Sequence, residues 1–259
     1  MAVLPIALIV AGPVTAAPAV TPVLVELFTS EGCSSCPPAD AVLAHLASAQ
    51  PVAGAEVIVL SEHVDYWNHL GWRDPFSAAQ FSARQQDYAQ RFALDGPYTP
   101  QMVVDGRAQM IGSNARAAAD AVAAAARGGK GRVLLEPVPA DGAMRLRIRI
   151  AALPAAEDGD VAEVLLAITE DGLRSSVARG ENGGRELPHT GVVRALGIVG
   201  SAGADGFDAT VDVPLAADWG PQHLRAVAFV QERRGRRVLA AGAVDLAAQK
   251  AGAPAGVPR

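Results

Sequence analysis

In the first half of the chain, apolar residues fall into short dense runs separated by longer amphipathic stretches. Val23-Leu24-Val25-Glu26-Leu27-Phe28 and Glu56-Val57-Ile58-Val59-Leu60 are nearly continuous and β-branched, the pattern of strands covered on both faces. Between them, Val42, Leu43, Leu46 and Ala47 form one stripe, which predicts a helix ending at Ala49, with His45 facing solvent. Pro37 and Pro38 are harmless only in the first positions of a helix, so it should begin near Ser35. Asp74-Pro75 reads as the cap and first position of a second helix, Phe76 to Phe92, with Phe81, Tyr88 and Phe92 turned inward. A strand from Gln101 to Asp105, an Asp105-Gly106 hairpin signal and a strand to Ile111 follow. Gly112-Ser113 then starts an alanine-rich helix that stops at Gly128.

The period changes after Gly128-Gly129-Lys130-Gly131, whose composition is that of a linker. Met144-Arg145-Leu146-Arg147-Ile148-Arg149-Ile150 alternates cleanly, a half-exposed strand whose arginine row belongs in solvent. Further strands are expected at 132–138, 161–170, 191–199, 207–213, 223–231 and 238–246, with turns at Asp141-Gly142 and Asp171-Gly172. With no helical stripe in this half, an antiparallel β-sandwich domain over 132–247 is the expectation, ahead of a disordered tail at 248–259. The chain then reads as an α/β domain at 21–128, a linker at 129–131 and an all-β, sandwich-like domain.

Composition adds bounds. A chain of 259 residues, half of them hydrophobic, suits one large or two modest domains on a prior of about 150 residues per domain, and two are expected. A net charge of −5 carries no electrostatic footprint for nucleic acid or anionic membranes. Residues 1–20 are uncharged, with an apolar run from Val3 to Val10 and small residues around Ala17, which reads as a secretory signal without a basic start. Pro5, Gly12 and Pro13 make a spanning helix a poor alternative, so no stable membrane anchor is expected. Export to the periplasm or beyond would place the chain where disulfides persist.

The chemistry centres on Cys33-Ser34-Ser35-Cys36, the chain's two cysteines, at a strand-to-helix junction. Unpaired N–H groups and partial positive charge at a helix start favour thiolate, so a dithiol there is suited to exchange. Cys33, first in the pair and least covered by the helix, would attack, and Cys36 would resolve the mixed disulfide. No further cofactor is expected, and the partners would be protein or small-molecule thiols and disulfides. Two other readings stay open. An inert bridge over so short a loop contributes only roughly 2 kcal/mol. A Cu or Zn site would need His63 or His69 beside the cysteines, in the aromatic stretch that also holds Asp65 and Trp67. Another candidate is the loop Arg179 to His189, dense in glycine, charge and amides, with Glu181 and Asn182 at its middle. It reads as a solvated hairpin loop, as a cover over the cysteines, or as a polar site with His189 and Arg194.

Strand, CxxC, helix, strand, helix, Thr-Pro, strand, hairpin, strand, helix resembles the thioredoxin fold. That resemblance implies that Thr99-Pro100 is the cis-proline facing the cysteines, with the Thr99 backbone available to an extended substrate. It also implies that Glu26 is the buried acid that takes the Cys36 proton, although the loop from it to Cys33 is one residue longer here. CSSCPPAD, HVDYWNHLGW and YTPQMVVDG also resemble a family of exported proteins with no assigned function. The expectation is an exported thiol–disulfide oxidoreductase, with a metal-binding protein or a non-enzymatic binding module as the alternatives.

Overall fold

The computed structural model describes residues 20–140, 143–213 and 215–247. The leader, apart from Val20, the turn at Asp141-Gly142 and the tail at 248–259 lie outside the described residues.

The first half runs β1 (Thr21–Thr29), α1 (Pro37–Ala49), β2 (Ala55–His63), α2 (Ala79–Arg91), β3 (Gln101–Val104), β4 (Ala108–Ile111) and α3 (Ala115–Ala126). β1 pairs in parallel with β2 and antiparallel with β3, which carries β4 at the sheet edge. Both strands of the β1–β2 pair are buried, as their unbroken apolar runs require. Asp105 and Gly106 both take positive φ, 51° and 64°, the twist a two-residue hairpin needs. A Cβ on Gly106 would also lie 1.7 Å from the Arg236 carbonyl oxygen, so glycine is required there.

Helix starts differ from expectation for local reasons. α1 opens at Pro37 because Cys36 N–H turns back to the Cys33 carbonyl at 3.2 Å before Ala39 and Asp40 donate to the Cys36 carbonyl. α2 opens at Ala79 because Asp74, the expected cap, is spent elsewhere; its Oδ1 closes a separate turn on Phe76 N–H at 2.9 Å. α3 is capped by Asn114, which accepts from Ala117 N–H at 3.1 Å, rather than by Gly112-Ser113.

The second half contributes β5 (Arg132–Ala140), β6 (Ala143–Ala151), β7 (Ala162–Glu170), β8 (Leu173–Ser176), β9 (Glu186–His189), β10 (Val192–Ala202), β11 (Phe207–Val213), β12 (Leu224–Glu232) and β13 (Val238–Asp245). A self-contained sandwich domain beyond a free linker is not what forms. The main sheet has eight strands in the order β13-β12-β7-β10-β2-β1-β3-β4, so four strands of the second half extend the sheet of the first. The joint is parallel pairing of Val192 with Ser61. The linker itself is bolted down: Gly131 N–H bonds to the Leu239 carbonyl at 2.9 Å, and Lys130 Nζ lies 2.7 Å from Asp105.

Two layers cover this sheet. On one face, Phe81 of α2 meets Leu24, Ile58 and Leu60 together with Leu165, Val193, Val227 and Phe229, one core spanning both halves. On the other, α1 and α3 cover Val23, Val25, Leu27, Val57 and Val59, while a three-stranded sheet, β11-β6-β5, buries Leu146, Ile148 and Ile150 against Val164, Leu166, Ala226 and Ala228. The arginine row is outward, paired across strands with Asp212, Asp208 and Glu136 at 2.7–3.1 Å. β8 and β9, a short hairpin that no hydrophobic run announces, form a two-stranded sheet of their own.

Candidate functional site

Cys33 and Cys36 are joined by a disulfide with Cα atoms 5.4 Å apart, between the end of β1 and the first turn of α1. The sequence implies an accessible Cys33; the structure corrects this, since both cysteines are 0% exposed. The cover is the loop between β8 and β9. Asn182, itself buried, donates from Nδ2 to the carbonyls of Glu31 and Cys33, each at 2.9 Å, and its Oδ1 accepts from Arg185. The Ser34 side chain and the Ser34 N–H, the latter at 2.9 Å, both bond to the exposed Glu181 carboxylate and lower its pKa. The loop lies against the cysteine turn with Asn182 alone buried between Val177 and Leu187, while its other residues are exposed and His189 bonds to Glu31.

Alternation along β1 and β2 turns Thr29 and His63 to the face that α1 covers. Asp40, one turn after Cys36 on the same side of α1, belongs to this group. Burial pushes the Asp40 carboxyl above its ordinary 3.8, and His63 draws it only part of the way back. Burial alone would lower His63, but Asp74, 2.7 Å from its Nδ1, more than reverses that and the imidazole ends above 6.5. Asp74 moves the opposite way: burial would raise it, and His63 with the N–H groups of Glu31 and Phe76 holds it below 3.8. His189 completes the group, with Nε2 3.0 Å from Glu31 and its ring 5.1 Å from that of His63. Trp72 Nε1–H donates to the other Glu31 oxygen at 2.7 Å. Two buried polar atoms here, His63 Nε2 and Thr29 Oγ1, have no hydrogen-bond partner among the described residues.

Glu26 is buried as expected, but it faces the other side of the sheet. Its parity on β1 is that of Leu24 and Phe28, which pack toward α2. There it accepts from Arg84 Nε at 2.6 Å and from the Tyr88 hydroxyl. It therefore does not sit with the cysteines; on their side the acid one helical turn from Cys36 is the part-buried Asp40, with the fully buried Glu31 and Asp74 nearby. The signal for Asp40 was in the sequence, at the end of Cys-Pro-Pro-Ala-Asp, four residues past Cys36.

The remaining candidates divide. The Thr99-Pro100 bond is cis, Thr99 Oγ1 accepts from Trp67 Nε1–H at 2.8 Å, and Pro100 lies with Leu27 and Ala39 around Gly112, beside the start of α1. Trp67 also abuts Gly32, so it belongs to the rim of the site. β2 ends at His63, and Asp65, beyond it, accepts from the Ser82 hydroxyl at 2.5 Å. His69 and Arg179 are exposed, and Arg194 is engaged by Glu170 at 2.7 Å. Among the described residues, no three His, Cys, Asp or Glu side chains gather as metal ligands. Sequence reasoning missed Glu31 and Asp74 in the site, since one reads as turn chemistry and the other as a helix cap.

A family model for proteins of unknown function, DUF1223, matches residues 24–231. The crystal structure of a protein from Agrobacterium tumefaciens is similar over 94% of this chain and 100% of that one, at 27% identity and a TM-score of 0.68. HBP35 of Porphyromonas gingivalis is similar over 88% of this chain and 76% of that one, at 15% identity and a TM-score of 0.65, a likeness of fold alone. No curated protein matches significantly.

Proposed function

This chain belongs to the DUF1223 family of proteins of unknown function, and from its site we propose that it is an extracytoplasmic thiol–disulfide oxidoreductase with a thioredoxin-like first half. The observation that carries the reading is the Cys33–Cys36 disulfide at the start of α1, with a linked group of proton-carrying side chains, Asp40, His63, Asp74, Glu31 and His189, on the same side of the sheet and one buried imidazole nitrogen, His63 Nε2, left without a partner among the described residues. A disulfide needed only as a brace has no use for Asp40 and His63 beside it. The strand order β2-β1-β3-β4, with the pair between β1 and α1 and Pro100 against the same helix start, supports the thioredoxin-like half. A persistent disulfide supports an oxidising compartment.

In the reduced protein, the Cys33 thiolate attacks one sulfur of a substrate disulfide, and that sulfur's partner leaves as a thiolate and takes a proton from solvent. Cys36 then gives its proton to Asp40, and its thiolate attacks Cys33 Sγ. The second substrate sulfur is released and protonated, two electrons having passed to the substrate and the Cys33–Cys36 bond having formed. The reverse sequence oxidises a substrate dithiol. The start of α1 stabilises the thiolates through the partial positive charge of the helix dipole, since Pro37 and Pro38 carry no N–H and the N–H groups of Ala39 and Asp40 are already donated to the Cys36 carbonyl. His63, held by Asp74, exchanges the proton on Asp40 with the rest of the buried group.

The test is the reduction potential, measured by equilibrating the protein in glutathione or dithiothreitol buffers and counting alkylated thiols by mass. A value at or above about −230 mV, the range of exchange enzymes, is expected; one below about −300 mV would make the bridge structural and overturn the reading.

A further inference from the structure

An exchange site must admit a sulfur in line with its own, yet neither cysteine has exposed surface. Bonded across the cysteine turn is a segment with its own internal bonding. Val177 N–H bonds to the Arg185 carbonyl at 3.0 Å, Gly184 N–H to the Val177 carbonyl at 2.7 Å, and Gly183 N–H to the Gly180 carbonyl at 3.1 Å. The buried apolar anchors, Val177 and Leu187, flank the segment, and between them only Asn182 is buried. The polar contacts from the segment to the main chain of the cysteine turn are the Asn182 amide on the Glu31 and Cys33 carbonyls and the Glu181 carboxylate on Ser34 N–H. Lifting the segment as one body breaks those three bonds and keeps the internal ones.

The main-chain groups so released are two carbonyls and one N–H within four residues, 31 to 34. Left bare at a half-closed site they are costly, so whatever reaches Cys33 must satisfy them. An extended polypeptide does this with its own N–H and carbonyl groups; dithiothreitol or cysteamine has too few. The Asn182 amide stands in for a peptide N–H and the Glu181 carboxylate for a peptide carbonyl.

We propose that residues 179–185 are a latch seated where an extended polypeptide substrate binds, and that the substrate replaces the latch at Glu31, Cys33 and Ser34 as its cysteine reaches Cys33. The inference rests on the exchange reading of the Cys33–Cys36 pair, and its first test needs no turnover. The full-length protein is treated with dithiothreitol, and disulfide opening is followed by alkylation and mass. Asn182→Ala is expected to open at least tenfold faster than the parent protein, and Glu181→Gln, at an exposed residue that does not threaten folding, severalfold faster. Equal rates in a folded Glu181→Gln and in the parent would overturn the latch, whatever the measured potential.

The second test addresses the occupant. In Cys36→Ser protein, Cys33 is trapped as a mixed disulfide either with a cysteine-containing extended peptide or with cysteamine, and hydrogen exchange at the Ser34 amide is read by NMR. Protection by the peptide and rapid exchange with cysteamine are expected. Equally rapid exchange in both would overturn polypeptide docking while leaving the latch to stand on the first test.

Discussion

The central sheet carries a buried polar cluster on each of its faces, and the two are built differently. On the α2 face, Glu26 and Glu62 share Arg84, with Tyr88 bonded to Glu26 and Gln231 Nε2 donating to the Tyr88 hydroxyl at 2.8 Å. That cluster is locked by β12, from the far half of the chain. Glu62 is pushed well up by burial, with Arg84 offsetting part of it and Glu26 adding to it. On the α1 face, His63, Asp74, Asp40, Glu31 and His189 lie next to the disulfide; His63 Nε2 and Thr29 Oγ1 lack partners, and the covering loop holds on by three hydrogen bonds. Buried polar atoms without a hydrogen-bond partner among the described residues occur in both, the two Glu62 oxygens and Gln231 Oε1 on the α2 face and His63 Nε2 and Thr29 Oγ1 on the α1 face; what separates the clusters is that only the second lies beside the disulfide, under a loop held by three hydrogen bonds to main-chain groups. Mere burial of a carboxylate, which Glu26 and Asp40 share in different degree, does not distinguish the two roles.

The largest expected break is Arg84→Met, which strands two buried carboxyls without their cation and should cost about 3–5 kcal/mol in a urea melt with the disulfide intact. A loss under about 1 kcal/mol would mean that the α2-face cluster is not the lock described here.

Next is a pair of variants read as exchange rates in the folded protein. Asp40→Asn should slow the Cys36 step by about 100-fold, whereas Glu26→Gln should leave the rate unchanged although it weakens the fold. If Glu26→Gln is the slow variant, the roles of the two faces are reversed. Asp40→Asn also has a stability signature. Folding raises the Asp40 pKa above 3.8, so the parent loses stability as pH climbs through that raised value. The variant does not, and should gain on the parent toward alkaline pH.

The smallest effect is Asp74→Asn, about 1–2 kcal/mol, and its pH profile sharpens the comparison most. His63 is raised above 6.5, so its contribution is complete below 6.5 and fades as pH rises through the folded value. Asp74 is lowered below 3.8, so its contribution is complete above 3.8 and fades as pH falls through the folded value. The difference between parent and variant should therefore be widest between pH 3.8 and 6.5 in melts taken across that range. A flat difference would show that His63 and Asp74 are not an ion pair.

The sequence alone determines the elements of this protein closely, because each is announced by a local rule: unbroken apolar runs for β1 and β2, alternation for β6, Asp105-Gly106 for the hairpin, Pro37-Pro38 for the start of α1. It also determines that two thiols meet at a strand-to-helix junction. Tertiary structure decides the rest. That eight strands merge into one sheet depends on pairing Ser61 with Val192, residues far apart in the chain whose runs read alike whether they share a sheet or not. Which acid joins the cysteines depends on strand parity relative to α1, which turns Glu26 away and leaves Asp40. That Asn182 sits against Cys33 from 149 residues away depends on hydrogen bonds from its side-chain amide to main-chain carbonyls, acceptors that every residue carries and no sequence pattern marks.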